Sequence, residues 1–151
     1  MDDWRWDETS ESDNSCHFFE SRPPDVLIAE RAAAQHGTIS WDQLRECGLT
    51  PQQIRYRVAI GRLHVIHYKV YAVGHDRLTQ DGRWMAAVLA GGLDAALSHR
   101  SAAALWGVRP RTGGAIEVSV PSWKPKQSGI RFSAPSSHFD ELTKLRGIPV
   151  T

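Results

Sequence analysis

Two helix starts, each written as a capping box, stand on either side of a single glycine. Ser40 and Gln43 form the first box; Thr50 and Gln53 form the second, with Pro51 at the first helical position. In such a box the hydroxyl accepts a bond from an orphan backbone N–H, and the residue three positions on bonds back to the cap. Pro at the first helical position strengthens the second start. Gly48 stops the first helix, because only Gly takes the left-handed cap conformation cheaply, and Gly61 stops the second. The chain is thereby committed to two short helices joined by a tight turn.

The second helix has two unlike faces. Ile54 and Val58 lie one turn apart and face the core. Gln52, Tyr56 and Ala59 fall on the opposite side, flanked by Arg55 and Gln53. An amide side chain can bond a base edge in the major groove, and Arg can bond guanine or a phosphate. This helix is therefore the candidate recognition helix, with Arg57 and Arg62 near the groove rim. A β-rich hairpin follows, Leu63–His67 returning through Tyr68–Lys69 into Val70–Val73, and Thr38–Ile39 offers a third short strand. Its alternation is imperfect and leaves the register open. The layout is that of a winged helix-turn-helix over residues 25–77. The candidate DNA-binding residues are Gln52, Gln53, Arg55, Tyr56, Arg57, Arg62 and Lys69. A small helical hairpin with no role on DNA would satisfy the same caps.

Around this unit the chain divides further. Residues 1–22 read as a disordered acidic tail, with Trp4, Trp6, Phe18 and Phe19 unusual in such company. Pro23–Pro24 marks a boundary, and a helix opens at Asp25 and ends by Gly37, with Leu27 and Ala34 on its buried side. Residues 78–151 read as a small α+β extension, truncated at its C-terminal end, so the whole is an α+β chain. There Thr79 caps a helix on which Trp84, Ala87 and Val88 share a face, closed by Gly91–Gly92. Leu93–Leu97 is a short apolar segment. Ser98 caps another helix, with Ala102, Leu105 and Trp106 at helical spacing and Gly107 at its end. Ile116, Val118 and Val120 alternate with Glu117 and Ser119 as a half-buried strand, with Ile130–Ser133 as its hairpin partner and Ile148–Val150 as one more strand.

Charge and cysteine usage narrow the classes. The net charge of +1 is divided unevenly: residues 1–22 hold seven acids and two basic residues, and the remainder holds sixteen basic residues and ten acids. The part expected to fold is mildly basic, which suits a DNA partner, and the tail could act as a flap over that basic surface. Cys16 and Cys47 are the only cysteines and suggest no disulfide framework, so reduced thiols in a cytoplasm are expected. The longest apolar run, Trp84–Leu93, is too short to span a bilayer. His64, His67, His75 and His99 lack metal-ligand spacing; His64 and His67, three apart in a strand, should point to opposite faces. Ser98, His99 and Ser101 lack the elbow of a hydrolase. Asp140, Glu141 and Lys144 match a nuclease pattern only loosely. No metal, cofactor or catalytic residue is expected, and the chain is read as no enzyme. The loop Pro121–Gly129 carries Lys124 and Lys126 beside Trp123, either as a nucleic-acid backbone contact or as a solvated hairpin tip.

The segments AAAQHGTIS, IRYRVAIGRLHVIH and VYAVGHDRLTQDGRWMAAVLAGG, followed by LSHRSAAALWGVRP and GIRF…GIPVT, occur in a familiar order. They resemble the N-terminal half of the AbiEi-type antitoxin family of type IV toxin–antitoxin systems, over about Leu27 to Thr151. Ser98–Gly107 is the most specific block and Val70–His75 the next. The resemblance implies a winged helix-turn-helix that binds double-stranded operator DNA and represses its own operon, with a second copy of the chain as a further partner. Relatives usually have basic residues where this chain has Tyr56, Ile60, Val65 and Tyr68, and Gly where Lys69 stands, so the basic face is thinner here. In many relatives the same half precedes a domain like very-short-patch-repair endonucleases. The alternative readings are therefore the N-terminal fragment of such an enzyme, or a protein-interaction module that has lost DNA binding.

Overall fold

Each of the first three helices is anchored by its own sequence. The computed structural model describes residues 23–111, 113–135 and 142–151. The acidic tail with Trp4, Trp6, Cys16, Phe18 and Phe19, and the acids Asp140 and Glu141, lie outside the described residues. Helix α1 spans Pro24–Ala34, strand β1 Thr38–Ser40, α2 Trp41–Glu46 and α3 Pro51–Ala59. Both capping boxes form in full, Ser40 with Gln43 and Thr50 with Gln53. Gly48 takes φ 100° where α2 must stop. The buried side of α1 carries Ile28 and Ala32. Ala34, expected on that side, is exposed: it follows Ala32 by two residues, about 200° further round the helix, away from the face that Ile28 and Ala32 bury.

Strands β2 (Leu63–His67) and β3 (Val70–Val73) form an antiparallel hairpin, and β1 joins the far side of β3. The sequence places this hairpin at the same bounds. The register pairs Ile39 with Tyr71, Val65 with Tyr71 and Leu63 with Val73. Alternation along each strand puts these residues on one face. Ile39, Leu63 and Tyr71 pack there against Ile28, Leu44, Leu49 and Ile54 from the helices. Thr38, Val70 and Ala72 occupy the other face, and all three are buried. A register shift between Val65 and His67 pairs His64 with Ala72 and His67 with Val70. Both histidines therefore share one face, contrary to the expectation from their spacing. A bulge adds one residue to one strand and restores the parity that a three-residue separation breaks.

What covers that second face is α4, Gln80–Gly91, capped by Thr79 Oγ1, which accepts from Gly82 N–H at 3.1 Å. Helix α4 contacts β1, β2 and β3 on one side and β4, β5 and β8 on the other. Gly82 and Ala86, one turn apart, are buried. A Cβ at Gly82 would stand 2.9 Å from the His36 carbonyl oxygen. Trp84, Met85, Ala87 and Val88 belong to the second core, with Leu97, Val118, Ile148 and Val150. The boundary expected at residues 77 and 78 thus falls just before the helix that both sheets share.

The second sheet contains β4 (Ala96–Leu97), β5 (Ile116–Ser119), β6 (Ile130–Ser133), β7 (Thr143–Leu145) and β8 (Ile148–Val150) in the order β6-β5-β4-β8-β7. Strands β5 and β6 are parallel, pairing Ile116 with Ile130 through Ser119 with Ser133. The expected hairpin is therefore absent, and the loop 120–129 is a crossover that returns the chain to the starting end of the sheet. Strand β4 pairs antiparallel with β5 and parallel with β8. Strand β5 is not half-buried, since Ser119 is covered along with Val118 and Val120. Strand β7 was not foreseen. It joins β8 through Arg146 and Gly147, at φ 52° and 79°, a two-residue turn usually signalled by Asn-Gly.

Helix α5, His99–Leu105, is capped differently from the rest. Ser98 stands at its N-cap, but its hydroxyl makes no cap bond and is buried with no partner among the described residues. The carboxylate of Glu117 instead accepts from Arg100 N–H at 2.8 Å. The expected serine cap is thus replaced by an acid from β5, placed there by the β4–β5 pairing. Trp106 at the far end is exposed, not core, and its Nε1–H donates to the Thr151 carbonyl oxygen at 3.2 Å.

Candidate nucleic-acid interface

Helix α3 is held through one face. Ile54 is fully buried and Val58 packs partly buried against the same core. Gln52, Gln53, Arg55, Tyr56 and Ala59 are exposed. This is the division the sequence predicts, and it follows from the placement of Ile54 and Val58 one turn apart. The candidate residues are nonetheless in unlike states. Gln53 has its side-chain oxygen in the cap, accepting from Thr50 N–H at 2.8 Å, so only its amide N–H groups are free to meet a base. Arg57 is half-buried and forms an ion pair with Asp25 in the first turn of α1, Nη1 to Oδ1 at 2.5 Å. Its charge is already balanced, and it ties α3 to α1. Gln52 and Arg55 have neither constraint.

Arg62 is exposed in the turn after Gly61. Its backbone closes that turn: Arg62 N–H donates to Arg57 O, and Arg62 O accepts from Gly74 N–H, both at 2.9 Å. Gln53, Tyr56, Arg57 and Arg62 come together with Ile60 around one shallow depression. Lys69 is elsewhere, at the turn of the β2–β3 hairpin with φ 59°, its Nζ 5.5 Å from the Tyr68 ring centroid. Trp41 N–H donates to Lys69 O at 2.9 Å, which sets that turn beside the start of α2. The same surface also bears apolar residues. Tyr56 is 64% exposed, Val65 60% and Tyr68 71%.

One neighbour of the hairpin was missed. Tyr68 N–H donates to Gln127 Oε1 at 3.1 Å, which brings the crossover loop with exposed Trp123 and Lys126 against the hairpin turn. No local signal announces a contact between residues so far apart in the chain. Burial perturbs three groups in this part of the molecule. It lowers the pKa of His67 and raises that of Tyr71, with Tyr68 adding to the latter. It also raises the Cys47 thiol, an effect that Arg31 opposes and Glu46 assists, so this buried cysteine is a poor nucleophile. Among the described residues no group of three His, Cys, Asp or Glu side chains could hold a metal ion, and no helix is long and apolar enough to cross a membrane.

No protein-family model matches the chain, and no curated protein matches it.

Proposed function

We propose that this chain is a sequence-specific DNA-binding protein of the winged helix-turn-helix kind. On this reading residues 25–77 are the DNA-reading unit and residues 78–151 an α+β extension. Helix α3 enters the major groove, and the β2–β3 hairpin is the wing. The observation that carries the reading is the division of α3: Ile54 and Val58 hold it to the core while Gln52, Arg55 and Tyr56 face outward. Gln52 and Arg55 then read base edges, and Arg62 and Lys69 meet phosphates. Lys126 lies on the loop that touches the hairpin turn and extends the phosphate contact. In function the chain resembles an antitoxin that represses its own operon. It would act in the cytoplasm by occluding a promoter, as a single chain or with a second copy, and without chemistry.

Competition gel shifts on the DNA upstream of the gene test this. Gln52→Ala with Arg55→Ala is expected to abolish preference for the operator, since each good base contact is worth about 1–3 kcal/mol. Circular dichroism should show unchanged helix content. Full preference retained by the double variant would remove α3 from the interface.

The exposure of Tyr56, Val65 and Tyr68 favours one second reading, a module that binds protein through this surface. That reading predicts no affinity for any DNA at low salt. It also predicts loss of a partner or of self-association, seen by sedimentation, on Tyr56→Ser with Val65→Ser.

A further inference from the structure

The largest concentration of cations among the described residues is not on α3. Arg83, Arg100, Arg109, Arg111 and Arg131 line one cavity of about 330 Å³, together with a single carboxylate, Glu117. They come from α4, α5, the loop after α5, and β6, so no stretch of sequence displays the cluster. Five guanidiniums around one cavity repel one another unless counter-charge is supplied. The protein supplies only part of it. Asp81 lies 3.9 Å from Arg111 and 3.5 Å from Arg146. Glu117 lies 3.7 Å from Arg131, and its other oxygen accepts from Arg100 N–H. The guanidinium groups of Arg83, Arg100 and Arg109 have no acidic partner among the described residues.

The floor of the cavity differs from its rim. Trp84 and Ala104 are buried there, and the Arg111 guanidinium carbon lies 5.3 Å from the Trp84 ring centroid. Ser101 is also buried at this floor, where its hydroxyl oxygen accepts from Glu117 N–H at 2.9 Å, leaving its own proton free to donate. Gly113 and Gly114 form part of the lip, with nothing within 4 Å of where a Cβ would stand. A ligand can therefore approach the backbone closely at that point.

We infer that this cavity binds a small molecule carrying a phosphate group. A guanidinium fork matches phosphate oxygens in pairs, and a dianion balances two of the three uncompensated arginines. The volume is at the low end for ligand pockets, which span about 300–1,000 Å³, so a compact phosphate ester fits and a polymer does not. Free phosphate offers the same chemistry, and the experiment separates the two sources. The site is independent of the DNA-binding proposal, since none of its lining residues lies on α3 or on the β2–β3 hairpin.

Isothermal titration of the full chain with inorganic phosphate, adenosine 5′-monophosphate and adenosine tests this at fixed ionic strength. Saturable binding of either phosphate compound, with none by adenosine, is expected. Tighter binding of the monophosphate assigns the site to a phosphate ester, and equal or tighter binding of inorganic phosphate assigns it to the free ion. Arg100→Gln with Arg109→Gln replaces two exposed side chains that have no acidic partner, so the fold should persist. This variant should weaken binding by at least about tenfold, whereas Gln52→Ala with Arg55→Ala should leave it unchanged. Absence of saturable binding, equal affinity in the Arg100 and Arg109 variant, or loss of binding in the α3 variant would overturn the inference.

Discussion

The two sheets of this protein are assembled by opposite means. In the first, β2 and β3 are joined by two residues, and β1 pairs with β3 across only α2, α3 and β2. The starts of α2, α3 and α4 are each capped by a side chain adjacent in sequence. In the second, β4 is two residues long and its partners are β5 and the distant β8. Its helix α5 is capped by an acid from another strand. The first region is built from nearby residues and the second from distant ones, yet both lean on one helix, α4. Locality of construction and independence of folding are thus separate properties.

The sharpest way to break that conclusion is to damage each region in turn. Ile54→Ala in α3 and Leu97→Ala in β4 remove fully buried side chains. Each should cost about 2–5 kcal/mol. Both should lower the midpoint of one urea transition, followed by circular dichroism and by fluorescence, because α4 packs on both sheets. Two resolved transitions, each answering to one substitution, would show that the regions fold apart.

A smaller effect sharpens the contrast between caps. Ser40→Ala and Thr50→Ala should each cost about 1 kcal/mol, the usual loss when a capping side chain is removed. Ser98→Ala should change stability by no more than about 0.5 kcal/mol, because the hydroxyl has no hydrogen bond to lose. Denaturant midpoints that fall equally for all three would place a cap bond at Ser98 after all.

The smallest effect concerns protons. Among the described residues, the three groups with shifted pKa, Cys47, His67 and Tyr71, all belong to the first region. Burial lowers His67 from its ordinary value of 6.5. As pH falls through that value the unfolded chain takes up the proton before the folded one does. The neutral ring's contribution is therefore present above about pH 6.5 and declines below it, until the folded ring protonates too. His67→Gln should flatten the stability profile between about pH 5 and 7. An identical profile in the variant would mean that His67 is solvated like a free imidazole.

The same contrast explains what could be read from the sequence. Capping boxes, helix-ending glycines and the hairpin around Tyr68–Lys69 are local devices, and each was legible. The faces of His64 and His67 were not, because one bulge reverses parity and leaves no mark in composition. The parallel pairing of β5 with β6 was also hidden. A strand pattern followed by a loop and a second strand pattern suits a hairpin and a crossover alike. Of the candidate interface, the outward set on α3 was legible, but the Arg57–Asp25 ion pair and the Tyr68–Gln127 contact depend on tertiary proximity. The arginine cavity was hidden for the same reason.

The place of β4 in the second sheet also orders events during synthesis. As the chain leaves a ribosome, the first sheet has its strands, its three helices and α4 before β4 is made. Strand β4 then gains β5 early, but Leu97 meets Val150 only when β8 emerges. At about 5–20 residues per second this interval lasts roughly 3–10 s. Throughout it one side of β4 is an open edge bearing Ala96 and Leu97, both fully buried in the finished protein. Neighbouring nascent chains on one message are then most exposed to pairing edge to edge, and the brevity of β4, two residues, limits how much of a template that edge can offer.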